Sequence, residues 1–184
     1  MPSKDTDKNR RILIIDDSES IHDDFRKILS PDDILPSEKI KRAALSLTET
    51  QLFGHPLNAA TVRQAHFELA SAYQGEQGVE MVKKALEEKR PYAVAFVDMR
   101  MPPGWDGMIT TQKIWEVDPE IQIVICTAYS DYSWNEVFER IGTSDRMVIL
   151  KKPFDPVEAL QLAHDLTKKW HLIHFDPKKT NPKR

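Results

Sequence analysis

The fold is decided by the stretch Tyr92-Ala-Val-Ala-Phe-Val-Asp98-Met-Arg-Met101-Pro-Pro-Gly104-Trp-Asp-Gly107. Its first half is a short apolar run that ends in a carboxylate, and proline and glycine then begin a loop. This pattern predicts a buried strand with Asp98 at its carboxyl end. Ligands of open α/β sheets bind at the carboxyl ends of the strands, so Asp98 is the first candidate functional residue.

Four more short apolar segments resemble that strand, and a helical pattern follows each of the five. The predicted strands cover 11–15, 66–73, 92–98, 121–126 and 147–150, and the predicted helices cover 21–29, 75–89, 108–117, 133–141 and 156–170. In the first helix an apolar stripe faces the core, while polar positions such as His22 are expected on the solvent face. Strands that alternate with helices predict an α/β fold: a doubly wound, five-stranded parallel sheet with right-handed crossovers and helices on both faces.

Two segments lie outside that alternation. Residues 31–64 contain turns and helical patterns without metal-ligand spacing or a phosphate-binding glycine loop, so we interpret them as a helical insertion with a cap-like or docking role. Residues 171–184 are basic and rich in proline. The predicted organisation is one domain over 10–170, interrupted by the insertion and followed by a basic C-terminal tail.

Composition limits the classes of function. The 184 residues are 40% hydrophobic and 30% charged, with a net charge of −3, so bulk electrostatics indicate neither a nucleic-acid nor a membrane partner. The single cysteine, Cys126, excludes a disulfide framework and a cysteine-based zinc site. The first residues lack the apolar run of a signal peptide. We therefore expect a cytoplasmic protein.

The predicted strands place several chemically useful side chains at one edge of the sheet. They are Asp16 and Asp17 after the first strand, Asp98 at the third, Thr127 at the fourth and Lys152 after the fifth. Clustered carboxylates repel one another unless a cation lies among them, and oxygen ligands suit Mg²⁺. A carboxylate beside Mg²⁺ can attack phosphorus, while an ammonium and a hydroxyl neutralise the phosphoryl oxygens.

Here the sequence resembles the receiver domain of two-component response regulators (the CheY-like superfamily). The resemblance covers 10–30 and 66–170, and four motifs carry it: the acidic pair, Asp-x-x-Met-Pro followed by Asp-Gly, Thr-Ala, and Lys-Pro-Phe. It implies that Asp98 is the phosphoacceptor and that Thr127 and Lys152 bind the phosphoryl group. It also implies that Mg²⁺ is bound by Asp17, Asp98 and the backbone carbonyl of Arg100, with Asp16 acting through water.

Three features depart from the family pattern. The loop after Met101-Pro102 is one residue longer than usual, the 31–64 insertion is additional, and Ile149 occupies the position where many receivers carry an aromatic switch residue. Tyr129 or Tyr132 could take over that role. Each site residue alone is also explained by turn or capping chemistry, whereas their joint occurrence at one sheet edge favours a functional site.

Three classes of function remain in competition. The first is a phosphorylatable switch, served by a sensor histidine kinase or phosphotransfer protein and coupled to a downstream partner or output domain, with a homodimer possible. The alternative is a phosphorylation-independent, pseudo-receiver-like interaction module that acts through the insertion. An enzyme is disfavoured, because a related phosphatase would carry a carboxylate where Arg100 stands. We expect a stand-alone receiver, although the first part of a longer protein is the competing interpretation.

Overall fold

The structure, a computed structural model, describes residues 9–31, 66–128 and 144–175. Five strands form one sheet in the order β2-β1-β3-β4-β5, and every neighbouring pair is parallel. The elements are β1 (Arg11–Ile15), α1 (Glu19–Leu29), β2 (Glu68–Ala72), α2 (Gly75–Glu87), β3 (Val94–Asp98), α3 (Gly107–Val117), β4 (Gln122–Thr127), β5 (Met147–Lys151) and α4 (Pro156–Phe175). The predicted α/β fold is confirmed. The proposed insertion from residue 32 onward and the predicted helix at 133–141 lie outside the described residues.

Helices cover both faces of the sheet. Alternate residues of β1 point to opposite sides: Leu13 and Ile15 pack in one apolar cluster with α2 and α3, and Ile12 and Ile14 pack in the other with α1 and α4. All five residues of β3 are buried, which explains why its sequence is an unbroken apolar run rather than an alternating one. This central strand therefore holds Asp98 rigidly at its end.

Local capping chemistry sets where two helices begin. The Asp106 carboxylate accepts a hydrogen bond from the Ile109 N–H (2.8 Å) at the start of α3. At the start of α4 the Asp155 carboxylate accepts from the Val157 N–H (2.7 Å), and Pro156 takes the first helical position. Side-chain caps of this kind satisfy backbone donors that have no partner within the helix.

The expectation that His22 faces solvent was wrong. His22 lies in the first turn of α1 and is only 1% exposed, on the same face as Phe25 and Leu29. Its ring lies 4.6 Å from the ring of Tyr73, measured between centroids. The spacing i, i+3, i+7 from His22 places these three residues on one side of the helix, so periodicity outweighs polarity here.

The last helix is longer than predicted. It continues to Phe175 instead of ending near Trp170, so the first residues assigned to the basic tail are helical. His174 explains the extension: its ring stacks on Trp170 with centroids 3.6 Å apart, and its Nε2 lies 2.6 Å from a carboxylate oxygen of Glu120.

None of the helices in the described part of the chain combines the length and apolarity that crossing a bilayer requires.

Candidate functional site

The site lies at the carboxyl edge of the sheet. Asp98 is the last residue of β3 and pairs in register with Cys126 of β4, while Asp16 follows directly after β1 on the other side. Lys152 follows directly after β5. The sheet order, in which β1 and β4 flank β3, therefore brings the predicted acidic residues to one place.

Lys152 joins two of the three carboxylates. Its Nζ lies 2.6 Å from Asp16 Oδ2 and 2.6 Å from Asp98 Oδ1. The Asp16 and Asp98 side chains are 3% and 11% exposed, against 21% for Lys152. Charge-assisted hydrogen bonds in such a dehydrated setting are strong and fix the geometry of the carboxylates. The adjacent Lys151 is exposed at the end of β5.

Both oxygens of Asp98 have donors. Oδ1 accepts from Lys152, and Oδ2 accepts from the backbone N–H of Arg100 at 2.9 Å. The second bond closes a turn over two residues that carries the chain away from the sheet edge. The Arg100 side chain itself is exposed. The carboxylate of Asp98 is consequently held in a single orientation by the loop that follows it.

Oxygen atoms suited to a hard cation lie close together here. One carboxylate oxygen from each of Asp16, Asp17 and Asp98 lies within 4.8 Å of the others, with Asp17 exposed and the other two buried. Three carboxylates against the one ammonium of Lys152 leave two formal negative charges. Oxygen donors, an excess charge of two and one exposed ligand fit a divalent cation that keeps part of its water shell.

Burial and charge shift the protonation of the central pair. Desolvation raises the pKa of Asp98, and the hydrogen bond from Lys152 opposes that shift without cancelling it. Burial alone would lower the pKa of Lys152, but its hydrogen bonds with Asp16 and Asp98 outweigh burial and raise it. Lys152 is therefore held as a cation, and the carboxylates around it carry more negative charge than it can neutralise.

The remaining predicted residues lie around this centre. Thr127 ends β4 and is half-buried, and its backbone carbonyl accepts the Lys152 N–H at 2.8 Å. This bond ties the strand end that carries the hydroxyl to the residue that carries the ammonium. Ile149 is half-buried and packs against the apolar cluster between the sheet and the helices α2 and α3. Tyr129 and Tyr132 lie outside the described residues.

The loop after Asp98 closes onto the site through Gly107. The Gly107 N–H donates to the Met99 carbonyl at 3.0 Å, and a Cβ on Gly107 would overlap the backbone carbonyl oxygen of Asp98 and lie 3.0 Å from Met99 Cα. A Cβ on Gly104, earlier in the same loop, would instead meet the flexible ends of Gln74 and Glu76. Of these two loop glycines, it is Gly107 at which backbone atoms leave no room for a side chain.

We expect Gly107→Ala to lower the free energy of unfolding by about 1–3 kcal/mol, because backbone atoms must shift to accept the methyl group. Gly104→Ala is the matched control and should change stability little, since side-chain ends can move aside. Urea unfolding followed by circular dichroism measures both. Equal stabilities of the two variants would contradict the close packing of this loop against Asp98.

Three carboxylates and a bridging lysine thus lie at the carboxyl edge of a five-stranded parallel sheet, and sequence comparison identifies the family. The model of the response regulator receiver domain matches residues 55–164, more than half of the chain. The chain belongs to this family. The matched region contains Asp98 and Lys152 but begins after Asp16 and Asp17, which the structure places at the same site.

Curated relatives agree with that assignment over part of their length. The chain is 38% identical over 86 residues to the oxygen regulatory protein NreC of Staphylococcus epidermidis, and equally similar to that of Staphylococcus haemolyticus. The alignment covers 47% of this chain and 37% of either relative. The likeness therefore concerns one region of those proteins.

Solved structures share the fold at low sequence identity. An adenylate cyclase structure from Rhodopirellula baltica superimposes with a TM-score of 0.62 at 19% identity, over 95% of this chain and 99% of that one. A CheY-like receiver domain protein from Methanospirillum hungatei gives 0.56 at 19% identity, over 88% and 96%. The signal receiver domain of an HD domain-containing protein from Pseudomonas fluorescens gives 0.61 at 18% identity, over 95% and 98%.

Proposed function

We propose that this receiver domain is a phosphorylatable switch in which Asp98 accepts a phosphoryl group in the presence of Mg²⁺. The observation that carries the proposal is the joint placement of three carboxylates and one lysine: oxygens of Asp16, Asp17 and Asp98 within 4.8 Å, and Lys152 Nζ 2.6 Å from two of them. Structural ion pairs occur widely, but an excess of negative charge around two buried carboxylates is unfavourable unless a cation is bound there.

The chain supplies the remaining parts of the transfer. An Asp98 oxygen forms the new bond to phosphorus, and the bond from phosphorus to the donor atom breaks, with its electron pair leaving on the donor. Lys152 and the Thr127 hydroxyl neutralise oxygens of the transferred group. Asp16, Asp17, Asp98 and the Arg100 carbonyl would hold Mg²⁺, which when bound supplies positive charge against the phosphoryl oxygens. The donor would be a phosphohistidine of a sensor kinase or phosphotransfer protein.

The proposed output is a change of partner binding rather than turnover of a substrate. A phosphoryl group adds negative charge to an edge where Lys152 already serves two carboxylates, so Lys152 must redistribute its bonds. The ends of β4 and β5 are joined through the Thr127–Lys152 backbone bond and would move with it. We propose no catalytic activity beyond phosphorylation and dephosphorylation of Asp98, and a cytoplasmic location for this chemistry.

The experiment is the intact mass of the protein after incubation with acetyl phosphate, with Mg²⁺ and with EDTA. We expect one added phosphoryl group that requires Mg²⁺ and is lost on treatment with hydroxylamine, as an acyl phosphate should be. Absence of the adduct, at a Mg²⁺ concentration that saturates binding, would overturn the proposal and favour the phosphorylation-independent interaction module.

A further inference from the structure

His22 is a buried histidine beside the acidic site, and the proposed function assigns it no task. Its Nε2 lies 2.8 Å from the backbone carbonyl oxygen of Asp16. A carbonyl oxygen only accepts hydrogen bonds, so Nε2 carries the hydrogen and donates it. The Tyr73 ring, 4.6 Å away, packs against the imidazole and limits its rotation.

The hydrogen bond from His22 is one of four that hold the polar groups of Asp16 in place. The Asp16 N–H donates to the Ala72 carbonyl of β2 at 3.1 Å, Oδ1 accepts from the Ser18 N–H at 2.9 Å, and Oδ2 accepts from Lys152 at 2.6 Å. The bond from His22 holds the remaining polar atom, the carbonyl oxygen. Every polar group of Asp16 is therefore tied to a different part of the structure.

Asp17 has no comparable support of its own. Its side chain is exposed, and within the described ranges no hydrogen bond or ion pair holds its carboxylate. The direction of this carboxylate therefore depends on the backbone, and the peptide that joins it to Asp16 is the one whose oxygen His22 binds. Second partners that orient the ligands of a metal are a known determinant of metal affinity.

Packing alone does not account for a histidine at this position. The Nδ1 atom is buried and has no hydrogen-bond partner among the residues that the structure describes. A buried nitrogen without a partner costs free energy, and a leucine of similar size would fill the space without that cost. What the imidazole provides and leucine cannot is the Nε2–H donor to Asp16.

We propose that His22 is a positioning residue for Mg²⁺: through the Asp16 carbonyl it fixes the peptide that aims the Asp17 carboxylate into the site. This inference rests on the proposed function, because it concerns the same metal. Loss of the donor should free the Asp16–Asp17 peptide and weaken the binding of Mg²⁺ about tenfold. The phosphoacceptor itself is not touched by His22.

The test compares His22→Leu, which removes the donor, with His22→Gln, whose amide nitrogen can replace Nε2. Leu29→Ala is the matched control, since Leu29 is buried on the same face of α1 but lies at the far end of the helix. Isothermal titration of the full chain with MgCl₂ gives the Kd, and urea unfolding gives stability. Hydrogen exchange of the Asp17 amide in metal-free protein reports on the peptide without any metal.

We expect a Kd about tenfold higher for His22→Leu, with faster exchange at Asp17, and recovery of most of that loss in His22→Gln. Leu29→Ala should lower the urea midpoint and leave the Kd unchanged. The proposal is overturned if His22→Leu binds Mg²⁺ as the parent does, if His22→Gln is as weak as His22→Leu, or if Leu29→Ala weakens binding equally. If the His22 proposal fails but the unsubstituted protein still takes up phosphoryl groups, the proposed function stands. If the unsubstituted protein neither binds Mg²⁺ nor takes up phosphoryl groups, both the His22 proposal and the proposed function are wrong.

Discussion

Asp98→Asn is expected to keep the mass of the unmodified chain after treatment with acetyl phosphate and Mg²⁺, while the parent protein gains a phosphoryl group. The amide that replaces the carboxylate lacks a nucleophilic oxygen anion and cannot form an acyl phosphate. Asp16, the other buried carboxylate of the site, is less accessible to a phosphodonor, since its side chain is 3% exposed against 11% for Asp98. The loss of adduct should therefore be complete.

The same variant should fold at least as well as the parent. Desolvation raises the pKa of Asp98, so the buried anion reduces stability at neutral pH and a neutral amide relieves that cost. Asp106→Asn is the matched control, because Asn caps a helix as well as Asp does and Asp106 lies in the same loop. It should retain the adduct. An adduct of parental size on Asp98→Asn would place the phosphoryl group on another residue and contradict the assignment.

Lys152→Met is expected to lower the free energy of unfolding by about 3 kcal/mol in Mg²⁺-free buffer. Removing one partner of a buried ion pair typically costs about 3–5 kcal/mol, and the 21% exposure of the Lys152 side chain places this case at the lower end. Without the ammonium, Asp16 and Asp98 lie together in a dehydrated pocket and repel each other. The methionine has a similar length to lysine, so the lower free energy of unfolding results from the missing charge.

Added Mg²⁺ should restore part of this stability, because a ligand that binds only the folded state stabilises it by mass action. Lys151→Met removes a neighbouring exposed lysine and is the control, with little expected change in either buffer. Urea midpoints with MgCl₂ and with EDTA measure both effects. Equal urea midpoints of Lys152→Met and Lys151→Met in EDTA would contradict the prediction that the ammonium of Lys152 stabilises the two buried carboxylates.

Much of the fold was predictable because its signals are local. The apolar run before Asp98 is buried along its whole length, and the capping residues Asp155 and Pro156 begin a helix where the sequence indicates one. The placement of Lys152 beside two carboxylates follows from strand order, since the carboxyl ends of parallel strands meet at one edge.

The parts that sequence did not predict depend on contacts between distant segments. His22 is polar and is expected in solvent, but its Nε2 donates to the backbone carbonyl of Asp16, directly after β1. No sequence pattern indicates that contact. The helix α4 continues beyond Trp170 because His174 contacts Glu120, a residue in the turn before β4. Spacing could have revealed the burial of His22, whereas the Glu120 contact needed the three-dimensional structure.

Two hydrogen bonds join the C-terminal end of α1 to Phe67, the residue before β2. The Phe67 N–H donates to the Leu29 carbonyl at 3.3 Å, and the Ser30 hydroxyl donates to the Phe67 carbonyl. The two ends of the intervening segment are therefore held together, and Asp16, Asp17, Asp98 and Lys152 all lie outside that segment of the sequence. Doubling the length of a flexible loop costs only about 0.6 kcal/mol. These two hydrogen bonds make the position a natural graft point, where a reporter or a sensor module could be inserted while α1 and β2 stay joined.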